Sequence, residues 1–148
     1  MTGSHGAIRS AICTFAALGL LLGVATAALA ANYEVVVTKA VPATSFSKAD
    51  LKAVFLGEKV KWDNSKYIKV VLPEDPALLK EFLQQVVGKT PSQYDKHWQN
   101  LVFTGKAAMP RSFADAGKLM EYVAGHAGAI GVVLAGQADA SVKTISIK

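Results

Sequence analysis

The residues able to do chemistry in this chain are few. Arg111 is the only arginine beyond the first thirty positions, set among fourteen lysines. A guanidinium offers planar, bidentate recognition of carboxylate or phosphate that lysine cannot copy. Asp75 precedes Pro76 in the pattern of a helix N-cap followed by proline at the first helical position. Ser47, Thr90 and Ser112 stand at three further expected helix starts. Free backbone N–H groups and the helix dipole make such ends anion sites. The candidate ligand-binding residues are Ser45, Ser47, Asp75, Thr104, Arg111 and Ser112.

Catalysis has less to draw on. His97 lies one residue before Trp98 on an expected helix, and His126 sits in a glycine-rich turn. Both read as surface or capping histidines. The chain has no nucleophile elbow, no paired-histidine zinc motif and no glycine loop that would cradle a phosphate. Asp63, Glu74 and Asp75 could pair as acid and base or share a metal, but capping already accounts for Asp75. No enzyme activity, cofactor or metal is expected.

The elements that must position these residues alternate between strand and helix. Tyr33–Thr38 reads as a first strand, ended by Pro42. Ser47 with Asp50 forms a capping box for a helix that stops at Gly57, with Phe46 placed to staple onto Leu51. Trp62, in a polar loop, reads as a packing anchor rather than a ligand platform. Residues 67–72 are β-branched and apolar apart from Lys69, which suits a mostly buried strand running into the helix at Pro76. That helix carries Leu78, Leu79, Phe82, Leu83, Val86 and Val87 on one face and closes at Gly88. Thr90 with Gln93 starts a third helix bearing Tyr94, Trp98, Leu101 and Val102. Met109-Pro110-Arg111 reads as an irregular crossing, and Ser112 with Asp115 as the cap of a fourth helix with Leu119, Met120 and Val123 inward. Ala129–Leu134 and Val142–Ile147 are the last strands. The pattern predicts an α/β layered domain, a central sheet flanked by about four helices.

Arg9 precedes a long apolar run, and Ala28-Leu29-Ala30 is a small-residue cleavage pattern. Residues 1–30 are expected to be a secretory signal peptide cut after Ala30, against the alternative of a retained membrane anchor. Residues 31–148 then form one domain of 118 residues, long enough to bury a core unaided. Cys13 leaves with the leader and stands too near the N-terminus to carry a lipid, so neither a disulfide nor a cysteine metal site is expected afterwards. Losing Arg9 leaves fifteen basic residues against eleven acidic ones, a net charge of +4. The lysines are scattered along the chain and no stacking aromatics interleave with them, which argues against nucleic acid as a partner. A small anionic or polar solute, or an envelope protein, remains open. The expected location is periplasmic or secreted, with no stable membrane insertion after cleavage.

One ordered set of motifs resembles a known family. Residues 46–62 resemble the segment of the phosphate-binding proteins of ABC transporters in which a helix ends in "FLGK" or "YLGK" and a tryptophan follows. The strand at 68–72 entering a helix, the stretch from Trp98 to Gly105, and Gly128-Ala129-Ile130-Gly131-Val132, which resembles "PGAIGY", come in the same order as in that family. The resemblance spans roughly residues 41–134 and implies a type 2 periplasmic-binding-protein-like fold, in a short relative made mainly of one lobe. It also marks departures. Leu72 stands near the family's arginine position, and Ala77-Leu78-Leu79 stand where a Ser-Gly-Thr run would grip the anion. Glu74 and Asp75 add negative charge at the mouth, and a carboxylate about 4 Å from a phosphate opposes binding by roughly 1–4 kcal/mol. The resemblance thus implies a non-enzymatic solute-binding protein with a degraded phosphate site. The alternative is an extracytoplasmic protein-interaction or sensor-accessory module built on the same fold.

Overall fold

A computed structural model describes residues 31–148, so the expected leader and its cleavage point lie outside the described residues. The elements run β1 (Tyr33–Val37), β2 (Ser45–Phe46), α1 (Lys48–Phe55), β3 (Lys69–Pro73), α2 (Pro76–Phe82), α3 (Pro91–Phe103), β4 (Arg111–Phe113), α4 (Ala116–Gly125), β5 (Ala129–Leu134) and β6 (Lys143–Ile147). The six strands form one mixed sheet in the order β2-β6-β1-β5-β3-β4. β5 pairs antiparallel with β1 and parallel with β3, and β3 pairs parallel with β4. The carboxyl ends of β3, β4 and β5 therefore share one edge of the sheet, and their amino ends share the other.

Helices cover both faces unequally. α1, α2 and α3 lie on one face, over a core that includes Leu51, Phe55, Phe82, Leu83, Tyr94 and Ile130. α4 alone covers the other, with Leu119, Met120 and Val123 against Val36, Val71 and Val133. Alternation along β1 sends Val35 and Val37 to the first core and Val36 to the second, which is why this strand is apolar on both sides. A side chain at Gly131 would meet Leu119 at 2.8 Å, so glycine there lets α4 lie close to the sheet.

The caps of the first three helices form as the sequence predicts. Ser47 Oγ accepts from Asp50 N at 3.1 Å while Asp50 Oδ2 accepts from Ser47 N at 3.3 Å. Ser47 Oγ also donates to Asp50 Oδ2 at 2.6 Å, and this bond together with that from Ser47 N holds the Asp50 carboxyl below its ordinary range. Thr90 and Gln93 make the same reciprocal pair at α3. Trp62 is buried, donates from Nε1 to Gly128 O at 3.0 Å and packs on Phe46, so it is a packing anchor.

Four local expectations need correction. The strand expected over residues 67–72 runs instead from Lys69 to Pro73, and Tyr67 is 64% exposed, tied to Lys61 by an isolated bridge and by the Lys61 ammonium over its ring. The second helix ends in a wide π turn, Leu83–Val87, before Gly88 closes it in the left-handed conformation. Arg111 is not in an irregular crossing, because Arg111–Phe113 pairs with Val71–Pro73 as an edge strand. Ser112 is consequently a strand residue, and Asp115 caps α4 by accepting from Lys118 N at 2.8 Å.

α3 also serves the end of α1. Tyr94 OH and Trp98 Nε1 donate to Phe55 O at 2.8 and 3.1 Å. His97 Nε2 lies 2.7 Å from Leu56 O and donates to it. Carbonyls at a helix C-terminus lack intrahelical partners, and here three side chains of α3 supply them. Burial raises the Tyr94 phenol well above its ordinary pKa.

Candidate functional site

In open α/β sheets, ligands settle in the crevice outside the carboxyl ends of the strands. This sheet has such a crevice, of about 510 Å³, where β3, β4 and β5 end at Pro73, Phe113 and Leu134. Asp75 and Leu78 of α2 line one side, and Asp115, Gly117 and Met120 of α4 the other. Each of the two helix N-termini carries a capping carboxylate. Asp75 Oδ1 accepts from Ala77 N and Leu78 N at 2.9 and 3.0 Å, and Asp115 Oδ1 takes Lys118 N. Glu74, exposed between β3 and α2, is tied through its backbone N–H to Phe113 O at 2.9 Å. Among the described residues no basic side chain lines this crevice.

A second groove, of about 470 Å³, opens at the opposite edge, where β3 and β4 begin. Lys59, Lys69, Lys106 and Arg111 line it, together with Tyr67, Trp98 and Tyr122. The Arg111 guanidinium sits 5.4 Å from the centre of the Tyr122 ring, which itself stacks on His126 with centroids 3.8 Å apart. No carboxylate lines this groove.

The six candidates do not converge. Asp75 lies in the crevice and Arg111 in the groove at the other end. Ser45 is in the short edge strand β2, and Ser47 caps α1. Thr104 donates its hydroxyl back to Asn100 O and Leu101 O, closing α3. Ser112 is exposed on β4 beside Arg111 and lines neither cavity. Sequence reasoning missed Asp115 as a crevice acid, although its signal was present as an acid three residues before Lys118 at a helix start. Among the described residues, no three histidine, cysteine or acidic side chains gather as a metal would need.

No protein-family model matches the chain, and no curated protein matches it. Solved structures do. An ABC-type phosphate transport receptor from Vibrio cholerae aligns with a TM-score of 0.53 at 19% identity, over 78% of this chain and 46% of that one. A protein described as a putative phosphate ABC transporter substrate-binding protein with bound phosphate, from Clostridium perfringens, aligns with a TM-score of 0.59 at 18% identity, over 78% and 46%. A possible phosphate binding protein from Planctomyces limnophilus gives 0.58 at 14%, over 79% and 41%. The fold is of the phosphate-binding-protein type. The chain spans less than half the length of these phosphate-binding proteins, and at such identities the likeness speaks for the fold alone. On this phosphate-binding-protein-type fold, Leu72 is buried in β3 and Leu78 is buried at the crevice.

Proposed function

We propose that this protein is an exported, non-enzymatic solute-binding protein whose strand-end crevice takes a polar or cationic solute rather than phosphate. One observation carries the reading: the N-termini of α2 and α4 each meet the crevice behind a capping carboxylate, Asp75 on Ala77 N and Leu78 N and Asp115 on Lys118 N. An anion there would have to displace a carboxylate and tolerate its charge, whereas a cation or hydroxyl-rich solute would find two acceptors. The neighbours of known structure are binding proteins by description, which agrees with a binding rather than a catalytic role. Export rests on the leader expected over residues 1–30; among the described residues no helix is long and apolar enough to cross a membrane.

Calorimetric titration of the purified protein with phosphate, sulfate, amino acids and small organic cations tests the reading. A cationic or uncharged solute should bind, and inorganic phosphate should give no heat at millimolar concentration. Micromolar phosphate binding would overturn it.

A second reading, an extracytoplasmic protein-interaction or sensor-accessory module, draws on Phe103. This ring is 91% exposed at the end of α3, next to half-exposed Val102. Exposed apolar side chains in a cluster mark interaction surfaces. Affinity capture from an envelope fraction should then recover a specific partner that Phe103→Ser loses, and recovery unchanged by that substitution would count against it.

A further inference from the structure

The groove at the amino ends of β3 and β4 lies at the other side of the sheet from the crevice and has the opposite character. Its four charged lining residues, Lys59, Lys69, Lys106 and Arg111, are all cationic. Among the described residues a single ion pair forms, Lys59 with Asp63 at 3.7 Å, and Asp63 is largely exposed outside the groove. Lys69, Lys106 and Arg111 thus face the groove without a carboxylate partner. Between the cations the walls are apolar: Val54 and Trp98 at the base, and Val60, Tyr67 and Met109 at the mouth, each of these three at least half exposed.

Concave sites with mostly apolar walls and a few convergent polar groups are the usual form of small-ligand pockets, and about 470 Å³ falls within their size range. Arg111 is held ready by its place over Tyr122, whose ring is fixed in turn by His126. A guanidinium braced on an aromatic face keeps its donor fork free for a planar or tetrahedral oxyanion. The exposed rims of Tyr67 and Met109 would cover an apolar body attached to it. Bare inorganic anions leave those walls wet, and neutral apolar molecules leave three unpaired cations unused.

We propose that this groove binds a small amphipathic anion, a carboxylate or phosphate monoester carried on an apolar body, with Arg111 and Lys69 at the headgroup and Tyr67, Trp98 and Met109 along the body. The site is separate from the crevice and stands or falls independently of the solute-binding reading.

Isothermal titration with decanoate is the test, read beside decanol, acetate and vesicles of anionic or zwitterionic phospholipid. Decanoate should bind at least about tenfold more tightly than decanol or acetate, and Arg111→Gln and Lys69→Gln should each weaken it about tenfold. Raising salt from ~50 to ~300 mM should weaken it as well. Arg111 and Lys69 are exposed, and circular dichroism of each variant checks that the fold is kept. Binding of free decanoate identifies a dissolved ligand. Binding of anionic vesicles alone, lost with Arg111→Gln, identifies a lipid headgroup as the source of the same chemistry. Equal affinity for decanoate and decanol, or decanoate binding unchanged by Arg111→Gln, overturns the proposal, as does capture of an acidic peptide with no binding of either amphiphile form.

Discussion

At Asp75, substitution can separate the capping oxygen from the charge. Asparagine caps a helix about as well as aspartate, whereas alanine loses roughly 1 kcal/mol. Asp75→Asn should therefore leave stability within about 0.5 kcal/mol of the parent, and Asp75→Ala should lower it by about 1 kcal/mol in chemical denaturation. Binding of a cationic solute in the crevice should fall about tenfold in both, since each removes the charge that attracts it. If Asp75→Asn binds as well as the parent, the carboxylate is only a cap. Tyr94 gives a second test, through pH. Burial raises its pKa in the fold, so the protonated phenol is the stabilised form. Its contribution is complete below the unfolded pKa, about 10, and is lost as pH rises toward the folded value. Tyr94→Phe should be less stable at neutral pH by about 1 kcal/mol, the worth of the bond to Phe55 O. Its stability should then decline less steeply than the parent's above pH ~10. Parallel decline would show that Tyr94 ionises without penalty.

Among the elements, helices were legible because their signals are local. Ser47 with Asp50, Thr90 with Gln93, and Asp75 before Pro76 each form within four residues of chain, and each forms as the sequence predicts. The short edge strands were not legible, since β2 and β4 exist only through partners far away in sequence, β6 and β3. Ser112 shows the conflict directly. Its spacing to Asp115 fits a capping box, but parallel pairing with Leu72 claims its backbone, and the cap moves to Asp115. The basic groove was half legible: Arg111 stood out by type, whereas Lys59, Lys69 and Lys106 are distant in sequence and meet only through the fold. Gly128 marks the turn that makes this meeting possible. It has φ +86°, and a side chain there would lie 2.2 Å from Tyr67 O, where the loop before β3 crosses. Its carbonyl accepts from both Lys69 N and Trp62 Nε1. Gly128→Ala should cost roughly 1–3 kcal/mol from backbone strain, and more because the crossing must shift. Denaturant unfolding measures the loss, and a cost below about 0.5 kcal/mol would mean that the crossing gives way freely.

On the scale of the whole molecule, the question is whether the two cores are one cooperative unit. The sheet has a core on each face, and the same three strands, β1, β3 and β5, contribute side chains to both. β1 alternates between them residue by residue, so neither core can lose its packing without releasing the strand the other needs. The chain also aligns with less than half of each larger phosphate-binding protein, and the described residues pack around this one sheet and its four helices. Leu83, at the start of the π turn, belongs to the first core, and Leu119, on α4, to the second; both are fully buried. Leu83→Ala and Leu119→Ala should each cost about 2–5 kcal/mol, as buried leucine truncations do. If the sheet couples the faces, each variant should unfold in a single transition, with fluorescence of Trp62 and Trp98 coinciding with far-ultraviolet circular dichroism. Both tryptophans lie in the first core, so Leu119→Ala is the sharper case: a defect under α4 should move their signal as far as it moves the helix signal. A Leu119→Ala protein that loses helix at low denaturant while its tryptophans stay buried would show that α4 melts alone, and that the face carrying the crevice wall of Asp115 and Met120 is the softer half of the molecule.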